Sequence, residues 1–415
     1  MVKKISLSII CICLSIMVQA QKKVNYDENA IKPYALPDLL KLENGKAVKS
    51  VDDWEKKRRP ELVNIYTDQV FGKVPSRVSD EFEIEVLEED QNAMDGKVVR
   101  RQIALIFKDK IKVNILLYLP KAVASPPLFV GYNFKGNHTT IADPNVIVSD
   151  TWIKLNPGKD AEIGRGTRNN RWPLEKIVSQ GFAIATIYYE DVDPDIDDFS
   201  DGIHALFYKE NQSRPTNNEW GSLAGWAWGL SRVIDYVKAD KVLTNSKILA
   251  FGHSRLGKAT LWAAALDDRI DLVISNDSGC GGAAISRRRF GETVSIINTS
   301  FPHWFNTNFK QYNNREEDLP IDQHMLIALM APRPVYIASA ADDQWADPYG
   351  EYLSGYHASP VYELYGEEGL PTDVHPNTNE PVQNTIAYHI RTGGHDVTDY
   401  DWEQYMKFAI KHFED

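Results

Sequence analysis

The chain has 415 residues, of which 43% are hydrophobic and 25% are charged, and its formal net charge is −12. This balanced composition is typical of a folded globular protein and excludes the disordered, collagen-like and coiled-coil classes. The negative charge disfavours nucleic acid and anionic membrane surfaces as partners, because both would repel the chain.

The first 20 residues have the pattern of a secretory signal peptide. Lys3 and Lys4 precede an apolar stretch, Ile5–Val18, and small residues lead up to a predicted cleavage after Ala20. The stretch has 14 residues, fewer than the roughly 20 that span a bilayer, so no stable membrane anchor is predicted. We expect a secreted protein, periplasmic or extracellular. Its mature chain would keep one cysteine, Cys280, and would form no internal disulfide.

Residues 21–80 show little strand pattern and contain several prolines, with one helix predicted over Asp52–Phe71. Because this stretch lacks an apolar core of its own, we expect it to wrap onto the main domain. The main domain is predicted at residues 81–415.

The rest of the chain alternates β-rich apolar runs with helical patterns. After an antiparallel start, this alternation predicts an α/β fold, a doubly wound and mostly parallel sheet in a three-layer sandwich. Residues 133–171 and 356–381 are expected to form loops over the edge of the sheet. The predicted strands are Gln102–Phe107, Val113–Leu119, Leu128–Tyr132, Phe182–Tyr188, Ile248–Phe251, Leu272–Ser275, Val335–Ala340 and Thr385–Ile390. The predicted helices are Trp220–Ala239, Arg255–Leu266, Asp322–Met330 and Asp401–His412.

An acidic run at Glu190–Asp198 suggests a calcium site. An EF-hand loop requires glycine at its sixth position and glutamate at its twelfth, but counting from Asp191 puts Ile196 and Gly202 there. We therefore expect a solvated loop. The sequence also has no HExxH or CxxC motif, so neither a metal nor a cofactor is predicted.

The most informative segment is KILAFGHSRLGK, residues 247–258, in which a predicted strand leads into a glycine-flanked serine and then a helix. Gly252 permits a tight turn that exposes Ser254 above the carboxyl edge of the sheet, where the helix N-terminus favours an oxyanion. The pattern departs from G-x-S-x-G, because Leu256 stands where the second glycine is expected and Gly257 follows it. A nucleophile and a plain strand-to-helix turn are both compatible with this spacing.

A serine nucleophile needs a base, and in this architecture the nucleophile, the acid and the histidine follow one another along the chain. His395 lies on a glycine-containing loop after the last predicted strand and is the predicted base. His389, inside that strand, and His412, in the final helix, are expected to be structural. His253 is expected to point away from Ser254 across the pleat.

Two carboxylates compete to orient His395. Asp277 follows the strand after the serine and Asp343 follows the next strand, so either fits the chain order. Each could instead be an ordinary turn or helix-capping residue. We favour Asp343 and keep Asp277 as the alternative.

Six blocks that occur in order along the chain carry a family resemblance. They are GHSRLGK at 252–258, DSGCGGAA at 277–284, RRFGE at 288–292, LPIDQH at 319–324, APRP at 331–334 and QWADP at 344–348. Together they resemble the bacterial glucuronoyl esterases of carbohydrate esterase family 15, from about Leu128 to the C-terminus. The family's nucleophile block, G-x-S-R-x-G-K, also accounts for the displaced glycine.

The resemblance implies an α/β-hydrolase fold and a serine esterase of the 4-O-methyl-glucuronoyl methylesterase type. Its substrate would be the ester between glucuronic acid side groups of xylan and alcohols of lignin. By position, Ser254 matches the nucleophile, His395 the base and Arg255 the arginine that stabilises the oxyanion. The residues that match contacts to the uronic acid are Lys258, Glu292 and Trp345. The family commonly has glutamate where this chain has the shorter Asp277, which favours Asp343 as the acid.

Other interpretations stay open. Lys258 and Glu292 could be solvated surface residues and Trp345 a core residue. An acetyl xylan esterase would use the same triad with a pocket for acetate, but the charges of Arg255, Lys258 and Glu292 suit a polar uronate better than a methyl group. A non-catalytic glycan-binding protein on a hydrolase scaffold is disfavoured, because every candidate triad member is present.

Overall fold

The computed structural model describes residues 24–75 and 82–413. The predicted signal peptide, residues 1–20, lies outside the described residues. Within the described ranges, every helix is too short or too polar to cross a bilayer.

One sheet of ten strands forms the centre of the structure. The strands are β1 (Phe82–Asn92), β2 (Val98–Phe107), β3 (Ile111–Pro120), β4 (Leu128–Asn133), β5 (Ala183–Tyr188), β6 (Ile248–His253), β7 (Leu272–Asn276), β8 (Val335–Ala340), β9 (Val382–Gln383) and β10 (Ile386–Arg391). Their spatial order is β1-β2-β3-β5-β4-β6-β7-β8-β10-β9. From β5 through β10 in this order, neighbouring strands run parallel, whereas β1, β2, β3 and the short β9 pair antiparallel.

Helices cover both faces of this sheet. Along β6, Ala250 joins one apolar cluster together with Trp262, whereas Leu249 and Phe251 point the other way and join a second cluster with Trp402. The predicted doubly wound α/β architecture is therefore confirmed. The α-helices are α1 (Val51–Asp53), α2 (Arg59–Tyr66), α3 (Ala93–Gly96), α4 (Asp150–Leu155), α5 (Ala161–Gly164), α6 (Leu174–Ser179), α7 (Ser222–Ala239), α8 (Arg255–Leu266), α9 (Val294–Ser300), α10 (Gln323–Ala328), α11 (Pro348–Leu364) and α12 (Asp399–Phe413).

All the predicted strands are present, but β1, β9 and α11 depart from the prediction, as do the short α4 and α5, which lie within the predicted loop at 133–171. The acid-rich β1 lies at the open edge of the sheet with Ile84 and Val86 exposed, so burial imposes no clear apolar pattern on it. Helix α11 overlaps the predicted loop at 356–381 and contains Pro360. Its buried Ala358, Val361 and Tyr362 show that apolar packing outweighs the hydrogen bond that the proline removes.

The N-terminal residues pack onto the main core. The chain is helical from Val51 to Phe71, in α1, α2 and two π-helical segments, Trp54–Arg58 and Thr67–Phe71. Phe71 stacks on Trp262 of α8, with ring centroids 4.5 Å apart. This packing supports the predicted wrap, while the division into residues 21–80 and 81–415 stays a prediction.

The strand order determines where the candidate site lies. β6, β7, β8 and β10 are consecutive parallel neighbours, so their carboxyl ends meet at one edge of the sheet. Ser254 follows β6, Asp277 follows β7, Asp343 lies just after β8 and His395 just after β10. Four residues spread over more than a hundred positions are thus brought to one place.

Candidate active site

All eight predicted site residues line one cavity of about 350 Å³: Ser254, Arg255, Lys258, Asp277, Glu292, Asp343, Trp345 and His395. A second cavity of about 330 Å³ shares Ser254, Arg255 and His395 with it. The serine therefore lies where the two cavities meet. A larger opening of about 1080 Å³, between residues 24–35 and Arg287–Arg289, contains none of the eight.

Ser254 occupies a sharp turn between β6 and α8. Its backbone has φ 57° and ψ −130°, a strained conformation for a residue with a side chain. Gly252 makes the turn possible, because a Cβ there would lie 2.2 Å from the carbonyl oxygen of Leu256. The turn presents the hydroxyl at the N-terminus of α8, where backbone N–H groups favour a developing negative charge.

His395 is hydrogen-bonded to Asp343. Nδ1 of the imidazole lies 2.6 Å from Oδ2 of the carboxylate, and because an ionised carboxylate only accepts, Nδ1 carries the donated hydrogen. The other ring nitrogen, Nε2, then has a lone pair that can take a proton. The His395 side chain is 41% exposed, whereas that of Asp343 is 6% exposed, so the carboxylate is shielded from water and the imidazole is accessible.

Asp277 is close to this pair but in a different environment. Its side chain is buried beside Arg391, 3.5 Å from Nη2, and its oxygens have no hydrogen-bond partner among the described residues. Burial raises the pKa of Asp277 well above its usual range, and the neighbouring Glu351 and Asp343 raise it further. Because burial disfavours the charged form of this carboxyl, and because His395 bonds to Asp343, the geometry favours Asp343 over Asp277.

Lys258 and Glu292 form a buried polar wall of the first cavity. They are 4% and 8% exposed, so neither is a solvated surface residue. Burial lowers the pKa of Lys258 and raises that of Glu292, while the charge of each partner opposes the shift in the other. The backbone N–H of Glu292 donates to the carbonyl oxygen of Trp345 at 3.0 Å. Trp345 is 40% exposed, which excludes a core position for its ring.

Arg255 opens α8 directly after the serine. Its guanidinium lies over three aromatic rings, Phe134, Phe301 and Trp304, at 4.8–5.7 Å from their centroids, and its side chain is 27% exposed. It is therefore partly enclosed next to the nucleophile candidate and is not a free surface arginine.

Comparisons with known proteins agree with this geometry. A sequence profile described as glucuronyl esterase of fungi matches residues 169–366. The solved structure of a glucuronoyl esterase from Solibacter usitatus superposes with a TM-score of 0.89 at 45% identity, over 93% of this chain and 100% of that one. A carbohydrate esterase, MZ0003, from an unknown prokaryotic organism is 46% identical over 94% of this chain and 92% of its own length. This chain belongs to the glucuronoyl esterases of carbohydrate esterase family 15.

The family assignment confirms the α/β-hydrolase fold and identifies the protein as a carboxylic ester hydrolase. A more distant relative is 4-O-methyl-glucuronoyl methylesterase 1 of Phanerochaete chrysosporium, 30% identical over 60% of this chain and 55% of its own length. The resemblance predicted from the six sequence blocks is thereby confirmed.

In this glucuronoyl esterase, Arg391 ties the loop of His395 to the sheet. Its guanidinium donates to the carbonyl oxygens of residues 392, 394 and 396 and, through Nε, to Asp401 at 2.7 Å. The backbone N–H groups of Ala341 and Asp342 also donate to this loop. The loops that carry Asp343 and His395 are thus fastened together, which fixes the distance between the two side chains.

His253 was expected to point away from Ser254, but it lines the second cavity with it. Its ring lies 4.5 Å from that of His395, and its Nδ1 is 2.5 Å from Oδ1 of Asn276. Burial, followed by the charge of His395, holds the pKa of His253 well below its usual range. A neutral ring therefore packs against the imidazole of His395. The expected structural role of His389 agrees with its buried bonds to Asp401 and Tyr336.

The acidic run after β5 is solvated only in part. Asp197 and Asp198 are exposed as expected, but Asp191 and Asp193 are 2% and 0% exposed, and the Asp195 side chain is 6% exposed. The expectation of a solvated loop was wrong for these three. Sequence alone did not reveal their burial, because their partners come from distant segments, as with His204 on Asp193 at 2.9 Å.

One possible metal-ligand atom from each of His395, Asp343 and Asp277 lies within 4.8 Å of the other two. Among the described residues, these three side chains could together hold a cation. The direct hydrogen bond between His395 and Asp343 accounts for the same proximity. The prediction that this esterase uses no metal stays a prediction.

Glu351 lies next to the site and predicts how the stability of the fold depends on pH. It is buried on α11 and accepts hydrogen bonds from Ser339 Oγ at 2.6 Å and the backbone N–H of Gly279 at 2.9 Å. Burial raises its pKa to about 8. The folded protein then holds a proton that the unfolded chain releases above its usual pKa of 4.5, so unfolding becomes easier as pH rises between those values.

We expect Glu351→Gln to reduce this loss of stability. Between pH 5 and pH 8 the melting temperature of the variant should fall by a few degrees less than that of the wild type. A change of about 1 kcal/mol in the free energy of unfolding shifts the melting temperature by roughly 2–4 °C. Thermal unfolding followed by circular dichroism at both pH values measures the difference. Parallel pH curves for the two proteins would contradict the assignment of the proton to Glu351.

Proposed function

We propose that this esterase hydrolyses the ester between (4-O-methyl-)glucuronic acid side groups of xylan and alcohols of lignin. The observation that carries the proposal is the joint lining of one cavity by Ser254, by the hydrogen-bonded His395–Asp343 pair and by the buried Lys258–Glu292 wall. The relative from Phanerochaete chrysosporium, named a 4-O-methyl-glucuronoyl methylesterase, supports the same substrate class.

In the proposed mechanism Ser254 Oγ attacks the C6 carbonyl carbon of the uronate ester while His395 Nε2 takes its proton. The tetrahedral intermediate collapses, the C–O bond to the alcohol breaks, and His395 returns the proton to the departing oxygen. Water repeats the two steps on the acyl-serine and releases the uronic acid. Asp343 holds the imidazole in the right tautomer and stabilises its charged form. No cofactor enters these steps.

Arg255 is proposed to stabilise the oxyanion. It is permanently charged and lies next to the serine, and removal of a comparable donor typically lowers kcat by about 10² to 10³-fold. The charged wall of Lys258 and Glu292, together with Trp345, is proposed to bind the hydroxyls of the sugar. An acetate pocket would not need these charges, which disfavours the acetyl xylan esterase alternative.

The deciding experiment compares substrates. Benzyl glucuronate should be hydrolysed with a higher kcat/KM than its galacturonate epimer, because a site built to hydrogen-bond hydroxyls discriminates against misplaced ones. Methanol should be released from methyl glucuronate. Release of acetate from acetylated xylan without methanol release would overturn the proposal.

Glu292→Gln tests the sugar-binding wall. We expect kcat/KM for benzyl glucuronate to fall about 10- to 100-fold, mainly through KM, because a charged hydrogen bond to the sugar is lost and Lys258 is left without its counter-charge. Steady-state kinetics measure this. Glu403→Gln, on the outer helix α12 and paired with Lys176, is the matched control and should keep wild-type KM. Equal kinetics for the two variants would remove Glu292 from the binding site.

We also propose that the mature protein is secreted after cleavage near Ala20. The basic residues, apolar stretch and small residues at the N-terminus support this. N-terminal sequencing of the protein recovered from the culture medium or periplasm tests it, and an intact residue 1–20 segment would contradict it.

A further inference from the structure

Asp195 lies outside the predicted site but is bonded to it. Oδ1 accepts hydrogen bonds from His303 Nε2 at 2.8 Å and Trp304 Nε1 at 2.7 Å. Oδ2 accepts one from the Tyr189 hydroxyl at 3.0 Å and one from Nη1 of Arg255. Both carboxylate oxygens are therefore used, and the side chain, only 6% exposed, is fixed from several directions.

The contacts of Arg255 are divided between this carboxylate and the cavity. Nη1 is bound by Asp195, and the face of the guanidinium lies 4.8 Å from the centroid of the Trp304 ring. Arg255 Nε is buried and has no hydrogen-bond partner among the described residues. One edge of the guanidinium is thus anchored by Asp195, and Arg255 and Ser254 line the same two cavities.

Asp195 keeps its charge under all working conditions. Burial alone would raise its pKa, but the hydrogen bond from His303 and the charge of Arg255 outweigh burial and lower the pKa to about 2. The carboxylate is therefore a permanent counter-ion for the arginine. An unanchored arginine side chain would sample many rotamers and would have to be ordered in each catalytic cycle.

We propose that Asp195 is a positioning residue for ester hydrolysis: it holds the guanidinium of Arg255 beside Ser254, ready for the oxyanion. The inference rests on the proposed role of Arg255 and names the group that makes that role effective. Donors that are preorganised stabilise a transition state more than donors that must move into place. The loss of Asp195 should therefore lower kcat and leave KM nearly unchanged.

A double-mutant cycle tests this with benzyl glucuronate as substrate. Asp195→Asn should lower kcat about 10-fold, and Arg255→Ala about 10² to 10³-fold. The double variant should be as active as Arg255→Ala within about 3-fold, because residues that act through one group are not additive. If Asp195 were purely structural, the losses of the two single variants would multiply in the double variant. That result would overturn the positioning role.

Asp193→Asn is the matched control, because Asp193 is a buried aspartate of the same run that bonds to His204 at 2.9 Å. It should lower the melting temperature and keep wild-type kcat.

If Asp195→Asn fails to fold, Tyr189→Phe takes its place in the cycle. It removes one hydrogen bond to Oδ2 and should lower kcat less, and it should cause no further loss when combined with Arg255→Ala. A fully active Arg255→Ala would overturn both the proposed oxyanion role and this inference, whereas multiplied losses on an impaired Arg255→Ala overturn only the inference.

Discussion

Ser254→Ala is expected to lower kcat on benzyl glucuronate by about 10⁴- to 10⁶-fold, because the residual rate without a nucleophile comes only from binding and oxyanion stabilisation. The fold should survive, since the turn is held by backbone contacts: the N–H of Ser254 donates to Asn276 and that of Gly257 to Ser254, both at 2.9 Å. His395→Ala should cost a comparable factor, because the serine then has no base.

Three measurements separate loss of chemistry from loss of structure. The far-UV spectrum and melting temperature of Ser254→Ala should match those of the wild type. A serine-directed phosphonate should add its mass to the wild type and leave the variant unmodified. Hydrolysis that persists at the wild-type rate in Ser254→Ala would remove this serine from the mechanism.

Asp343→Asn is expected to lower kcat by about 10³- to 10⁴-fold, because a neutral amide neither selects the tautomer of His395 nor stabilises its charged form. Asp277→Asn should change kcat by less than about 5-fold, since burial raises the pKa of Asp277 well above its usual range and an amide is close in shape to the uncharged carboxyl. Kinetics of the two variants, measured side by side, assign the acid.

Asp342→Asn provides the control for the Asp343 variant. Asp342 is the exposed neighbour of Asp343, and the same change of charge there should leave kcat unaltered. A silent Asp343→Asn combined with an inactive Asp277→Asn would reverse the assignment. Intermediate losses in both would mean that the two carboxyls act together, which contradicts a single acid at Asp343.

The candidate site was predictable because its residues follow recognisable elements. The strand before Ser254 and the helix after it have unmistakable apolar patterns, and helix α8 has the predicted bounds, Arg255–Leu266. In a parallel sheet the residues that follow neighbouring strands must meet at one edge. Asp277, Asp343 and His395 were predicted from their places after strands and from the chain order of nucleophile, acid and histidine, while Lys258, Glu292 and Trp345 needed the family resemblance.

Elements without such a pattern were missed. Strand β1 is half exposed and rich in acids, so burial imposed no alternation strong enough to mark it. The helix that contains Pro360 contradicts the local preference of proline, and only the packing of its apolar face stabilises it.

The sequence by itself determined the α/β layering, the turn that carries Ser254 and the family, because these depend on the periodicity and spacing of residues close together in the chain. The tertiary structure decided which carboxylate bonds to His395, since Asp343 and Asp277 differ in burial and partners and not in chain order. It also decided that Asp195 is a buried counter-ion of Arg255, 60 positions away. Burial and pairing of charges arise from contacts between distant segments, which no local pattern encodes.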